Sequence, residues 1–165
     1  TLTVFAYSAT ANTVTSRLLG AGKAAEIPQT LLRILKMSVL TLLPILLFFT
    51  LFPREVASIY TDDVALATQS VPVLYTIYVG ALIMAAAMIY FEFVSGTGNT
   101  FIALIMETGV LVFYIIFIYL ATTVFQFPIR WVWCSEWLYS SLILIASIVF
   151  LKWHPWATNT RSKSL

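Results

Sequence analysis

Phe101-Ile102-Ala103-Leu104-Ile105-Met106-Glu107-Thr108-Gly109-Val110-Leu111-Val112-Phe113-Tyr114-Ile115-Ile116-Phe117-Ile118-Tyr119-Leu120-Ala121-Thr122-Thr123-Val124 is an apolar run with a single charge, Glu107. Wound as a helix at about 1.5 Å per residue, it is longer than the ~30 Å of hydrocarbon in a bilayer. The stretch therefore reads as a membrane-spanning helix. A carboxylate near the centre of such a helix costs about 3 kcal/mol on insertion scales, so it is expected to face a bundle interior or a water-filled path.

Three further runs have the same character: residues 34–52, 71–94 and 132–151. Glu92 lies in the second of these and Glu136 in the last. Residues 1–19 read as part of another helix, rich in Thr, Ser and Ala, whose small side chains suit close contact with neighbouring helices. The chain has 165 residues, of which 61% are hydrophobic and 10% charged. A soluble domain of this size lacks the core volume to bury so much apolar side chain. The expected fold class is all-α: a polytopic transmembrane bundle of four full spans plus a partial amino-terminal helix. Residues 1–152 form the membrane segment and residues 153–165 a tail, polar and frayed from Thr158 onward. With no initiator Met and an ordered-looking start, the chain reads as the carboxyl-terminal part of a longer protein.

The links are of two kinds. Ser95-Gly96-Thr97-Gly98-Asn99-Thr100 is a tight, uncharged turn in which Gly96 and Gly98 can take positive φ. The longer link from Pro53 to Ser70 carries Arg54, Glu55, Asp62 and Asp63. Its Val56, Ile59, Tyr60, Val64 and Leu66 suggest a short helix on the membrane surface. Pro44 sits inside the first span and is expected to kink it.

Basic residues orient the bundle. Arg17, Lys23, Arg33, Lys36, Lys152, Arg161 and Lys163 fall on one side, Arg54 and Arg130 on the other. The positive-inside bias puts the Gly20 loop, the Gly96 turn and the carboxyl terminus in the cytoplasm. Trp131 and Trp133 then mark the outer interface, and Trp153 and Trp156 the inner one. The net charge of +2 is small and sits at span ends, which argues for topology and against nucleic-acid binding.

Gly20-Ala21-Gly22-Lys23 is not a phosphate loop, because Arg17 and Ala24 occupy the positions that need Gly and Ser or Thr. It reads as a turn ending a helix. Cys134 stands among tryptophans with no second Cys, so no internal disulfide is available and a packed thiol is expected. No nucleophile–base pair or paired histidines appear, and an enzyme is not expected. No cofactor is expected, and a metal site is neither indicated nor excluded.

The glutamates carry the functional reading. Glu107 lies seven residues past Thr100, about 10 Å along the axis, with no Lys or Arg in its span. It either pairs with a group from another helix or carries a proton. Glu92 ends a face formed by Ala81, Ala85 and Met88, which could line a cavity. Glu107 is the first candidate for an ion-coupling or cavity carboxylate and Glu92 the second. Glu136, near Arg130, Trp133 and Trp137, reads as a hydrogen-bonding anchor in the outer aromatic belt.

Two motifs carry a resemblance. Ser16-Arg17-Leu18-Leu19-Gly20-Ala21-Gly22-Lys23-Ala24-Ala25 resembles the basic, Leu-Gly-Ala-Gly loop of the MATE family of multidrug and toxic compound extruders. Val94-Ser95-Gly96-Thr97-Gly98-Asn99-Thr100 resembles its Gly-x-Gly-Asn/Asp-Thr turn, and Ile59-Tyr60-Thr61-Asp62-Asp63 its short external stretch. The resemblance implies a twelve-helix, two-lobe transporter of which this chain supplies the last four helices and part of the preceding one. It implies Na⁺ or H⁺ as coupling ion, cationic or amphipathic substrates, and a bacterial cytoplasmic membrane. The expected partners are membrane lipid and the remaining helices. At the position where some members carry an acid in span two, this chain has Met84, so that site is not carried over. A lipid-linked oligosaccharide flippase of related fold, or a non-transporting membrane subunit, are the alternative readings.

Overall fold

The computed structural model describes residues 2–156, the side chains of Gln69 and Arg130 excepted. Seven helices follow one another: α1 (Leu2–Gly20), α2 (Ile27–Leu51), α3 (Pro53–Ser58), α4 (Val64–Gly96), α5 (Thr100–Tyr119), α6 (Ile129–Val132) and α7 (Ser135–Trp153). A 3₁₀ turn, Ala24–Glu26, precedes α2, and a π segment, Leu120–Val124, continues α5. Among the described residues, four stretches are long and apolar enough to cross a membrane: Ala24–Leu51, Ser70–Gly96, Thr100–Val124 and Ser135–Trp153. The protein is an all-α integral membrane bundle.

α4 is the central helix, packed on α1, α2 and α7, while α5 lies outside against α7. α1 buries Val4, Ser8, Ala11, Thr15 and Leu19, one face at helical spacing made mostly of small side chains. Near the glycine turns, Phe93 of α4 meets Phe150 and Trp156 edge to face, with ring centroids 6.2 and 5.2 Å apart. At the other end, the Trp137 indole of α7 donates to the Thr76 carbonyl of α4 at 2.8 Å. Gly80 makes room for that ring: a Cβ there would lie 3.0 Å from Trp137.

Both glycine loops end helices, by different means. Gly22 takes φ +72°, while Lys23 N–H bonds Leu18 C=O at 2.9 Å and Gly22 N–H bonds Leu19 C=O at 3.0 Å. This is a Schellman closure. In the second loop only Gly98 has positive φ, +81°. Gly96 remains helical, and its lack of a side chain serves packing: a Cβ would fall 2.7 Å from the Asn12 carbonyl oxygen. Asn99 donates from Nδ2 to the Thr97 hydroxyl at 2.9 Å and stands at the start of α5.

Several boundaries differ from the sequence reading. α2 starts at Ile27, well before residue 34, with Pro28 in its first turn. Arg33 and Lys36 interrupt the apolar run without interrupting the helix. α2 also continues unbroken through Pro44, and α4 through Pro72. The expected surface helix is only α3; Val64 and Leu66 belong to α4. Asp63 causes this, since its Oδ1 accepts from Ala65 and Leu66 N–H at 2.8 and 3.2 Å and starts the helix there. At the carboxyl end, Trp153 closes α7 and is exposed, whereas Trp156 folds back into the core. Its indole donates to Leu151 C=O at 2.9 Å, so it is a packing residue and not an interfacial marker. The expected frayed tail from Thr158, with Arg161 and Lys163, lies outside the described residues.

Candidate functional site

The three glutamates reach three different environments. Glu92, on the last turns of α4, is half-buried against α1 and accepts a hydrogen bond from Asn12 Nδ2 at 2.7 Å. One turn on, the Ser16 hydroxyl is within 3.0 Å of Gly96 C=O and 3.1 Å of Asn12 C=O. Asn12, Ser16, Glu92 and Gly96 thus form a polar clamp where α1 and α4 approach most closely. Glu92 is a clamp residue in this geometry and is on the wall of neither of two cavities, of about 400 and 490 Å³, that the bundle shows. Asn12→Leu is expected to cost about 1.5–3 kcal/mol, because it leaves a half-buried carboxylate without its donor. The unfolding midpoint in detergent measures this; an unchanged midpoint would mean that Glu92 draws its stabilisation from elsewhere.

Glu107 is exposed, although it falls in line with Ala103 and Val110, the residues that α5 buries against the bundle. It lies on neither cavity wall. The structure therefore does not gather Glu92 and Glu107 into one site.

Glu136 occupies the most elaborate setting. It lies in the first turn of α7, where the helix dipole favours a negative charge. The Tyr114 hydroxyl of α5 donates to its Oε1 at 2.7 Å. The Tyr114 ring rests edge-on against Tyr139, centroids 5.5 Å apart, which fixes the donor. Glu136 is only half-buried, and it forms part of the wall of a cavity of about 490 Å³. The other walls come from α2 (Phe49), the α3 end (Tyr60), α4 (Tyr78, Gly80, Ala81, Met84) and α6–α7 (Trp133, Ser140). Tyr78 is buried and its hydroxyl has no hydrogen-bond partner among the described residues. Among the described residues no Lys or Arg lines this cavity, and Glu136 is the acidic residue on its wall.

The anchor reading of Glu136 holds as far as its hydrogen bond. Its place on the cavity wall was not readable, because Phe49, Tyr78 and Trp133 converge from helices far apart in sequence. Of the face expected to line a cavity, Ala81 does so; Ala85 is fully buried in the core, and Met88 packs on that cluster. Met84, one position out of that pattern, is on the wall. A second cavity of about 400 Å³ lies on the Pro53–Ser70 link, walled by Arg54, Glu55, Ser58, Thr61 and Asp62 among others. Among the described residues, no three His, Cys, Asp or Glu side chains gather as a metal site would require.

Comparison with known proteins agrees with this arrangement. The family model MatE matches residues 1–120, a span holding both glycine loops and the clamp between them. No curated protein and no solved structure gives a match. A match over most of the 165 residues, on a membrane bundle whose glycine loops close as described, establishes the family: the chain belongs to the MatE family of transporters.

Proposed function

We propose that the chain is part of a Na⁺- or H⁺-coupled antiporter that exports cationic or amphipathic compounds. The observation that carries this is the Glu136 cavity. Its volume suits a small organic molecule, its walls are aromatic and aliphatic, and its one acidic group is a tethered carboxylate. Phe49, Tyr60, Tyr78 and Trp133 offer ring faces to a cation, and Glu136 offers the counter-charge. Met84, where the family resemblance pointed to a possible acid on α4, lines the same space, so the carboxylate here comes from α7. A flippase would instead want basic side chains to meet a lipid-linked phosphate, and this cavity shows none among the described residues.

For ion coupling, Glu107 is a candidate by membrane depth, Glu92 by its carboxylate on α4, and Glu136 by its place on the cavity wall. The intact transporter in vesicles, loaded with a fluorescent cationic dye, tests the reading. Dye should move when an inward Na⁺ or H⁺ gradient is imposed, and Glu136→Gln should slow it at least tenfold. Dye that stays put under both gradients, in vesicles of verified insertion, would sink the antiporter reading.

A further inference from the structure

α2 carries an exposed stripe that neither the clamp nor the cavity uses. Gln29, Arg33, Lys36, Leu40, Leu43 and Leu47 recur at alternating spacings of four and three, so they share one face. All six are exposed, while Ile27, Leu31, Ile34, Ser38 and Leu42 face the bundle. The stripe changes character along the axis: two cations near the glycine-loop end, then leucines only.

Its depth fits a lipid. α2 has 25 residues and is about 37 Å long, some 7 Å more than the hydrocarbon. With Leu51 at one hydrocarbon boundary, Arg33 and Lys36 lie about 27 and 22 Å away, about 3 and 8 Å inside the other. Their flexible stems reach the headgroup level by snorkelling. Neither has an ion-pair partner among the described residues, and the acid nearest on their face, Glu26, is 3.6 Å from Lys23. The close contact of α1 uses small residues, Ser8, Ala11 and Thr15, to bring backbones together. This stripe has none.

We propose that the α2 stripe is a binding site for an anionic phospholipid. Arg33 and Lys36 hold the headgroup phosphate and Leu40, Leu43 and Leu47 lie along an acyl chain. The site is independent of the transport reading. Each basic side chain adds on the order of fivefold in affinity for an anionic over a zwitterionic headgroup.

Native mass spectrometry of the intact, delipidated protein, titrated with phosphatidylglycerol and phosphatidylcholine, tests it. The protein should prefer phosphatidylglycerol, Arg33→Gln and Lys36→Gln should each reduce that preference severalfold, and the double variant should abolish it. The charge-conserving double variant Arg33→Lys/Lys36→Arg should keep it, as should Lys152→Gln. Equal retention of the two lipids by the unmodified protein overturns the proposal. So does a preference that survives Arg33→Gln/Lys36→Gln, or one that millimolar inorganic phosphate removes entirely, since the stripe would then read a free anion and not a lipid.

Discussion

Replacing Gly96 with valine is expected to unseat α1 from the bundle. Two opposing effects decide the outcome. Replacing a helical glycine with valine gains no more than about 0.5 kcal/mol in propensity, because valine is itself a poor helix former. Against that, the new Cβ would lie 2.7 Å from the Asn12 carbonyl oxygen and 3.0 Å from Thr15 Cβ. The closest atom belongs to backbone, so it can yield only if the whole helix shifts. Overpacking of this sort costs about 1–3 kcal/mol. The shift would also stretch the Asn12–Glu92 and Ser16–Gly96 hydrogen bonds, and losing a bond to a charged group costs about 1.5–3 kcal/mol more. The clash wins.

A disulfide trap between cysteines placed on α1 and α4, together with the unfolding midpoint in detergent, measures the effect. Cross-linking should fall sharply in Gly96→Val. Gly109→Ala is the control, because nothing lies within 4 Å of its Cβ position; it should leave cross-linking unchanged and the midpoint unchanged or slightly raised. Unaltered cross-linking in Gly96→Val would show that the seam between α1 and α4 has slack which the close approach at Asn12 does not suggest.

The same glycine shows what a single sequence makes legible. Glycines at 22 and 98 were readable as turn residues because φ is a local property. Gly96 looked identical in the same turn, yet its constraint comes from Asn12 and Thr15, about 80 positions away. The four spans were legible because apolar length maps directly onto bilayer thickness. Their ends were less so: Arg33 and Lys36 hid the first turns of α2, and the capping side chain of Asp63 pulled Val64 and Leu66 into α4. Trp156 was misplaced because aromatic residues at a membrane edge and in a core look alike until Phe93 and Phe150 are seen beside them. For the glutamates, depth along each helix could be counted from the sequence, but the surroundings supplied by other helices could not. Glu107 is deep and in line with Ala103 and Val110 yet exposed, whereas Glu136, nearer a helix end, is on the cavity wall.

That difference in surroundings yields the second large effect. Glu136→Gln is expected to weaken binding of a quaternary ammonium ligand to the intact transporter by about 10- to 100-fold. The estimate takes the carboxylate's contribution as that of an interaction with a charged group, about 1.5–3 kcal/mol. Tyr114→Phe should change affinity far less, because it removes the tether and leaves the charge in place. Trp133→Leu should cost about two- to fivefold, the share of one partly exposed cation–π face. Glu107→Gln should leave equilibrium binding unaltered, since its side chain is not on the cavity wall. Equilibrium dialysis with a radiolabelled tetraalkylammonium, done for all four variants, orders them. If Glu107→Gln abolished binding while Glu136→Gln did not, depth would be the better guide than the cavity, and the substrate would have to pass along the outer face of α5.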